Sequence, residues 1–267
     1  MIKKTSLIAV VVIILLGGGI AAYFYWQYAQ PKPEPVYVEA LPPAPAPNPV
    51  VQQIIEAPPE QPALPKLSAS DEFMLDILAG LVGNKSLMSL FYTEQIIHNI
   101  VATIDNLPRR HLPLSVMPVK RVPGLFITEG PEDDKTISPK NAARYSTYVK
   151  IAELVDAQKL GEIYVRLYPL FQQAYEELGY PKKYFNDRLL VVLNHLLAAP
   201  DLNEPVKLVQ PNVFYVYADP DLEARSAGQK ILMRMGSNNE AKIKAKLREI
   251  KRQVMLHMHA KKVDSTE

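Results

Sequence analysis

The amino-acid sequence predicts a mainly α-helical protein: a multi-helix single domain with one short β-hairpin or small sheet, preceded by a transmembrane helix and a disordered proline-rich linker. Three observations predict this arrangement. Residues 7–28 carry no charged side chain, twelve of the 24 prolines lie in residues 31–65, and apolar residues beyond position 66 recur every three or four positions. The expected divisions are a cytoplasmic N-terminus (1–6), a transmembrane helix (7–28), a linker (29–66), a helical periplasmic domain (67–260) and a C-terminal tail (261–267).

The apolar run of residues 7–28 is about as long as the roughly 20 residues that a helix needs to cross a bilayer. Tyrosine, phenylalanine and tryptophan cluster in residues 23–28, as is typical of the point where a span enters the headgroup layer. The alternative is a cleaved signal peptide, for which Gly19-Ile20-Ala21 would be the small-residue cleavage site. The length of the run and its aromatic end favour the uncleaved anchor.

Lys3 and Lys4 set the expected orientation of this span. Lysines that flank a span stay on the cytoplasmic side of the membrane. The helical domain is therefore expected on the other side. In a bacterium with two membranes, the chain would be a single-pass inner-membrane protein with a cytoplasmic N-terminus and a periplasmic C-terminal domain.

The linker alternates proline with alanine, glutamate, valine and glutamine, a composition that removes amide donors and builds no core. A polyproline chain extends by roughly 3.1 Å per residue, so the linker would reach on the order of 100 Å. One apolar island, Val50 to Glu56, interrupts it. The island is either a short docking segment or an unengaged part of the linker, and its isolation favours the second.

Caps and apolar spacing predict seven helices in the domain. Pro169 falls inside the fourth and is expected to kink it. The fifth opens at Pro181, a proline suited to a first helical turn. The expected bounds are Ser70 to Gly83, Ser86 to Ile104, Pro139 to Val155, Asp156 to Leu178, Pro181 onwards, Pro220 to Met235 and Asn239 to Ala260.

Extended structure is expected in two places. Residues 112–128 contain three internal prolines and β-branched neighbours, which favours an extended chain with one short edge strand at Leu125 to Thr128. Further on, "VKLV" from Val206 and "VFYVY" from Val213 are separated by "QPN" and are expected to pair as a hairpin.

Composition excludes several classes of function. A net charge of +2 argues against a nucleic-acid-binding protein, because phosphate binding needs a dominant basic surface. The chain has no cysteine, which excludes disulfides, thiolate catalysis and cysteine-ligated metal sites. The acidic loop "EGPEDDK" lacks the spacing of a calcium loop. The sequence therefore predicts no cofactor and no metal site.

Polar side chains interrupt the fifth helix, which is otherwise apolar nearly all round and hence expected to be central. Asp187 and Asn194 are seven residues apart and share a face, while Arg188 and His195 repeat this relation on the adjacent face. A buried Asp187 would need a partner, and the candidates are Arg144, Arg166, Arg225 and Arg234. The candidate polar network or pocket comprises Asn186, Asp187, Arg188, Asn194, His195, Arg144 and Arg225.

This polar set has two interpretations. The first is a pocket in which Asp187 and His195 form an acid/base pair. The second is a buried structural network with an exposed first turn. The second is favoured because no spacing places a nucleophile or an oxyanion donor, and the lone Ser226 lacks a G-x-S-x-G frame. No catalytic residue is predicted.

The last helix is strongly basic, and its apolar stripe is expected to face the domain. Its lysines form either a solvated face or a surface for anionic lipid or an acidic partner. Two tyrosines of the third helix and the corner at residues 184–188 are further candidates for contact. The candidate interaction surface is Tyr145, Tyr148, Tyr184, Lys242, Lys246 and Arg252.

Four segments, "IVATIDNLPRR", "ARYSTYV", "LYPLFQQAYEELGYPKKYFNDRL" and "FYVYADPDLEARSAGQKILMRMG", resemble a bacterial family catalogued as domain of unknown function 3014. The resemblance covers nearly all of residues 67–255, and the layout of span, spacer and domain is similar too. It implies a membrane-anchored protein of a Gram-negative bacterium, and it supplies no activity, substrate or catalytic residue. The spacer is also similar to that of TonB-type proteins, as architecture alone.

The leading hypothesis is a non-enzymatic, inner-membrane-anchored periplasmic module that binds another envelope component, protein or polymer, at a distance set by its linker. The alternative is an enzyme or small-ligand receptor with a polar pocket around Asp187 and His195. An enclosed pocket reached by both side chains would support the alternative.

Overall fold

The computed structural model describes residues 63–202 and 205–264. Within these ranges the chain is mainly helical, with eight α-helices and two small antiparallel sheets. The expected span at 7–28 and most of the expected linker lie outside the described residues. No helix within the described ranges is both long enough and apolar enough to cross a bilayer.

The helices follow one another with short connections, three of which form 3-10 turns at Leu67–Ala69, Lys85–Leu90 and Leu114–Val116. The α-helices are α1 (Asp71–Val82), α2 (Ile96–Asn106), α3 (Asn141–Leu154), α4 (Ala157–Glu177), α5 (Phe185–Leu197), α6 (Pro220–Glu223), α7 (Ala227–Arg234) and α8 (Ser237–Asp264).

The first helix agrees with the sequence, whereas the second is shorter than predicted. α1 ends at Gly83, whose φ of +66° is the left-handed conformation that glycine adopts at little cost. The single helix predicted from Ser86 to Ile104 is wrong. The chain becomes extended at Phe91, which bridges to Val119, and helical structure resumes only at Ile96.

The start of α2 is capped by a residue of α1. The two carboxylate oxygens of Asp71 accept hydrogen bonds of 2.8 Å from the backbone N–H groups of Gln95 and Ile96. Gln95 has a φ of +51°, an unusual conformation for a residue with a side chain. A carboxylate at a helix N-terminus accepts hydrogen bonds from amides that have no partner within the helix, and its negative charge interacts favourably with the helix dipole. This cap fixes where α2 begins.

The largest core cluster joins α1, α2, α4 and the first residue of α5. Leu167, Phe171 and Phe185 are buried in it, and the rings of Phe171 and Phe185 stack with their centroids 5.8 Å apart. Burial of each such side chain contributes about 1.5–3 kcal/mol. Pro169 lies inside α4, as predicted, with its ring exposed.

α5 begins at Phe185, four residues after the predicted start at Pro181. The side chain of Gln172 on α4 explains the difference, since its Oε1 accepts from the Phe185 N–H and its Nε2 donates to the Lys183 carbonyl. These bonds hold the turn before Phe185 in a non-helical path. α5 then packs against α2, α4, α7 and α8, so the prediction of a central helix is confirmed.

The described residues contain two short β-hairpins, where the sequence predicts one. The expected pairing of the "VKLV" and "VFYVY" segments is confirmed, since β3 (Leu208–Val209) and β4 (Val216–Tyr217) are antiparallel. The second hairpin pairs β1 (Thr128–Glu129) with β2 (Thr136–Ile137) around the acidic loop. The strand expected at Leu125 to Thr128 therefore overlaps β1 only at Thr128.

The helix predicted from Pro220 to Met235 is two helices. The side chain of Asp219 caps α6, and that of Ser226 caps α7 by accepting a hydrogen bond from the Gln229 N–H. A serine that caps a new helix is incompatible with a continuous one, because the cap residue has an extended backbone. α8 follows and packs against α3, α4, α5 and α7.

Candidate functional site

A buried carboxylate lies at the centre of the polar residues that surround α5. Asp105, in the last turn of α2, is 3% exposed at its side chain. Arg188 Nε donates to its Oδ1 at 2.8 Å, while Arg109 Nη2 and the Tyr180 hydroxyl donate to Oδ2 at 2.6 and 3.2 Å. Arg188 Nη2 also donates to the Asp105 carbonyl at 2.6 Å. Asp105 thus joins α2 to α5 and to the turn before it.

Above this network lies an open cleft of about 370 Å³, here called the polar cleft. Tyr175 and Tyr180 form one wall with their rings stacked 4.7 Å apart, and the Lys183 ammonium lies 5.3 Å from the centre of the Tyr180 ring. The charged and aromatic residues that line it are Asp105, Tyr175, Tyr180, Lys182, Lys183, Tyr184, Asp187 and Arg188.

Asp187 lies at the exposed edge of the polar cleft, and partial burial raises the pKa of its carboxyl. None of the four arginines proposed as its partner pairs with it. Arg144 instead donates to the carbonyls of Pro123 and Gly124 and to the Asn141 side chain. The carboxylate held by arginines is Asp105, and the α5 residue that holds it is Arg188.

The other proposed arginines also lie elsewhere. The Arg166 guanidinium lies 5.5 Å from the centre of the Phe73 ring, and that of Arg234 lies over the rings of Phe126 and Tyr217. Arg225 Nε is buried without a hydrogen-bond partner among the described residues. The positive charge of Arg225 acts instead on His195.

His195 pairs with the helix-capping serine. Its Nε2 lies 2.8 Å from Ser226 Oγ, and its backbone carbonyl accepts from Gln229 Nε2 at 2.9 Å. Burial, aided by the charges of Arg188 and Arg225, lowers the pKa of His195. Ser226 is itself buried and already caps α7, so the Ser–His contact is built into the α5–α7 packing.

The structure separates the polar positions of α5 into two groups. The expected face of Asp187 and Asn194 is exposed, while Arg188 and His195 lie half-buried on the adjacent face. Asn186 is buried and accepts a hydrogen bond from the Tyr164 hydroxyl. Asp187 and His195 therefore have different surroundings: the first lines the polar cleft and the second contacts α7.

The two tyrosines of α3 that belong to the predicted interaction surface make contacts within the domain. Tyr145 packs against a core cluster with Val192 and Met235, and burial raises the pKa of its hydroxyl. The Tyr148 hydroxyl donates to the Lys120 carbonyl at 2.8 Å. Tyr184 is the proposed tyrosine that lines a cleft.

The basic residues in the first half of α8 are engaged by neighbours. Lys242 pairs with Glu153 on α3 at 3.0 Å, and Lys246 donates to the Val155 carbonyl. Lys244 is 3% exposed and pairs with Asp201 and with the buried Glu240. The interpretation of Lys244 as part of a solvated lysine stripe is wrong, because this lysine lies inside the domain.

The second half of α8 lines a wider groove, here called the basic groove. It has a volume of about 640 Å³ and is open to solvent. Arg252, one of the residues proposed for contact, lies in it. The lining residues are Leu197 from α5 and Arg248, Lys251, Arg252, Met255 and Leu256 from α8.

A local sequence pattern indicates the contacts of some of these candidate residues but not of others. Asp105 and Arg109 are four residues apart on a helix, which is the spacing of an ion pair. Arg188 is 83 residues from Asp105, so no local pattern indicates their contact. The same holds for His195 and Ser226. Within the described residues, no group of three histidine or acidic side chains is placed to hold a metal ion.

A comparison with family models gives a match over residues 96–251, to the family described as "Protein of unknown function (DUF3014)". The chain belongs to this family. The matched part of the DUF3014 chain begins with α2 and ends within α8, so it includes Asp105, Arg188 and the His195–Ser226 pair. The comparisons with curated proteins and with solved structures found no match.

Proposed function

We propose that this DUF3014 protein is a non-enzymatic interaction or scaffold module, anchored in the inner membrane and held in the periplasm by its proline-rich linker. Its partner is another component of the cell envelope, a protein or a polymer. The observation that carries the proposal is that three polar side chains of α5, those of Asn186, Arg188 and His195, are engaged in contacts within the fold.

An acid/base pair must reach one substrate with both side chains. Arg188 is held by Asp105, and His195 is held by Ser226. Asp187 lies on the exposed edge of the polar cleft, away from the His195–Ser226 contact. This separation favours a binding role over catalysis by the Asp187–His195 pair.

The linker sets the distance from the membrane at which the domain would meet its partner. A proline-rich chain of the length of residues 29–66 acts as a semi-rigid spacer. The helical domain at its end would meet a partner on the order of 100 Å from the membrane. A shorter linker would place the same binding surface out of reach of that partner.

Crosslinking in cells that produce the full chain tests this function. The domain is captured with its crosslinked partners from wild type, from a variant with half of residues 31–65 removed, and from Asp187→Ala. We expect the shortened linker to lose the partner and Asp187→Ala to keep it. An unchanged partner set in the shortened variant contradicts the reach argument, and loss in Asp187→Ala favours the small-ligand alternative.

The membrane anchor has its own test. We expect the full chain in the membrane fraction, with its domain cleaved by added protease only after the outer membrane is permeabilised. Deletion of residues 7–28 should move the protein to the soluble fraction. Protection of the domain in permeabilised cells would place it on the cytoplasmic side and overturn the proposed orientation.

A further inference from the structure

The basic groove has an ordered arrangement of charge. Its α8 residues follow the spacing i, i+3, i+4, i+7 and i+8, which places them on one face of the helix. Arg248, Lys251 and Arg252 form the first part of this stripe, and Met255 and Leu256 form the second. Leu256 is 56% exposed, and Leu197 faces the stripe from the end of α5. The groove therefore has a cationic end and an apolar end.

The cations of this groove differ from the lysines one or two turns earlier. Lys242, Lys244 and Lys246 each pair with a carboxylate within 3.0 Å. For the three cations of the groove, no hydrogen bond or ion pair is formed with any residue of the described ranges.

Like charges three and four residues apart on a helix repel one another. Arg248 is three residues from Lys251 and four from Arg252, so the groove concentrates repulsion. Among the described carboxylates, Asp201 offsets part of the charge of Arg248, although its ion pair is with Lys244. An anionic ligand with two or more carboxylates at helical spacing would relieve this repulsion. Carboxylate bonds to arginine are also the stronger, charge-assisted kind.

We infer that the basic groove binds an acidic amphipathic peptide segment of a partner protein. This inference rests on the proposed function and names the chemistry of the partner. Carboxylates of the segment contact Arg248, Lys251 and Arg252, while its apolar side chains contact Leu197 and Leu256. The stripe from Arg248 to Leu256 is about 12 Å long at 1.5 Å per residue, which matches a helical segment of roughly eight residues.

The shape of the surface favours a peptide over a lipid surface. The groove is open, but its apolar lining comes from two helices, Leu197 on α5 and Met255 and Leu256 on α8, and a groove between helices accepts the side chains of a docked helix. A membrane-binding face instead presents its apolar residues outward along the whole helix. Anionic vesicles are therefore the competing ligand in the test.

The probe is a fluorescein-labelled helical peptide with glutamate and leucine on one face, compared with the same peptide carrying glutamine for glutamate. Binding to the full chain in detergent is measured by fluorescence anisotropy. We expect Arg252→Glu to weaken binding of the glutamate peptide by roughly tenfold or more, since one charge-assisted contact is replaced by repulsion. Glutamine in the peptide should have a similar effect.

The matched control is Lys150→Glu, which makes the same charge change at an exposed site on α3. It should change the affinity less than twofold, and circular dichroism should give both variants the wild-type helical signal. Equal loss in Arg252→Glu and Lys150→Glu, or equal binding of the two peptides, overturns the inference. If the protein binds phosphatidylglycerol vesicles but not the glutamate peptide, the groove is a lipid-binding site, and this result also overturns the inference.

Crosslinking in cells separates this inference from the proposed function. Loss of the crosslinked partner in Arg252→Glu, but not in Lys150→Glu, supports the groove as its site. A partner that persists in Arg252→Glu overturns the groove assignment and leaves the interaction function standing. Absence of any partner in wild type overturns the proposed function itself.

Discussion

Replacement of Asp105 by alanine removes the acceptor around which the polar residues of α2 and α5 are arranged. Three side chains donate to this carboxylate: Arg109, Tyr180 and Arg188. Among the described residues, the substitution leaves Arg188, whose side chain is 25% exposed, with the residue 105 carbonyl as its one acceptor. We expect Asp105→Ala to lower the free energy of unfolding substantially.

The size of the loss follows from burial. Removal of one partner of a buried ion pair costs about 3–5 kcal/mol, because the other charge stays buried and unpaired. Arg109 is 53% exposed and regains water, and Arg188 keeps its bond to the backbone carbonyl. Both facts place the expected decrease in the free energy of unfolding at the lower end of this range, at about 3 kcal/mol. For a domain of this size, that corresponds to a fall in Tm of roughly 6–12 °C.

Urea and thermal unfolding of the full chain, followed by circular dichroism, measure this loss. Asp187→Ala is the matched control, since Asp187 lines the same cleft but faces solvent, and we expect it to change stability by less than about 0.5 kcal/mol. The double variant Asp105→Ala with Arg188→Met should recover part of the loss, because the remaining unpaired charge, that of Arg109, is exposed to water. A loss below about 1 kcal/mol in Asp105→Ala, or an equal loss in Asp187→Ala, would refute the reasoning.

Three further substitutions test other parts of the structure. Gly228→Ala should cost about 1–3 kcal/mol, because the added methyl would lie 2.5 Å from the Leu196 side chain and 3.0 Å from the Leu107 carbonyl oxygen, which belongs to the backbone. Gly80→Ala has open space and should be neutral or stabilising by up to about 1 kcal/mol, and thermal unfolding compares the two variants. Lys244→Met should cost about 3–5 kcal/mol in urea unfolding, since it leaves the buried Glu240 without its cation, and a loss under about 1 kcal/mol would contradict this. Burial lowers the pKa of His195 below its ordinary value of 6.5. Just below pH 6.5 this histidine is therefore protonated in the unfolded chain but neutral in the folded chain, so the free energy of unfolding should decrease as the pH falls from 6.5. His195→Gln should lessen this pH dependence, and an unchanged slope of stability against pH would show that His195 is not its source.

The local elements that the sequence predicts well are those that a single residue type enforces. Gly83 ends α1 because its left-handed φ is easy for glycine, and Pro169 lies within a helix whose apolar spacing continues past it. The hairpin of β3 and β4 follows from two short apolar runs around a proline turn. These are interactions between residues near one another in the chain.

The incorrect starts of α2 and α5 have a different origin, since distant side chains set them. Asp71 fixes the start of α2 from 25 residues away, and Gln172, in the C-terminal part of α4, holds the turn before α5. Ser226 sets the start of α7 by a local cap on the Gln229 N–H, whereas its contact with His195 spans 31 residues. No local pattern contains the long-range contacts of Asp71, Gln172 and His195.

The candidate site shows the same division. The sequence by itself determined that α5 is central and that its polar residues divide between two faces, because helical periodicity assigns both. It also determined the excess of cations on α8. Only the tertiary structure decided that Asp105 and Arg188 pair, that Lys244 is buried, and that Arg248, Lys251 and Arg252 remain unpaired with other described residues. Those outcomes depend on how separate helices pack, and packing brings together side chains that no spacing along the chain relates.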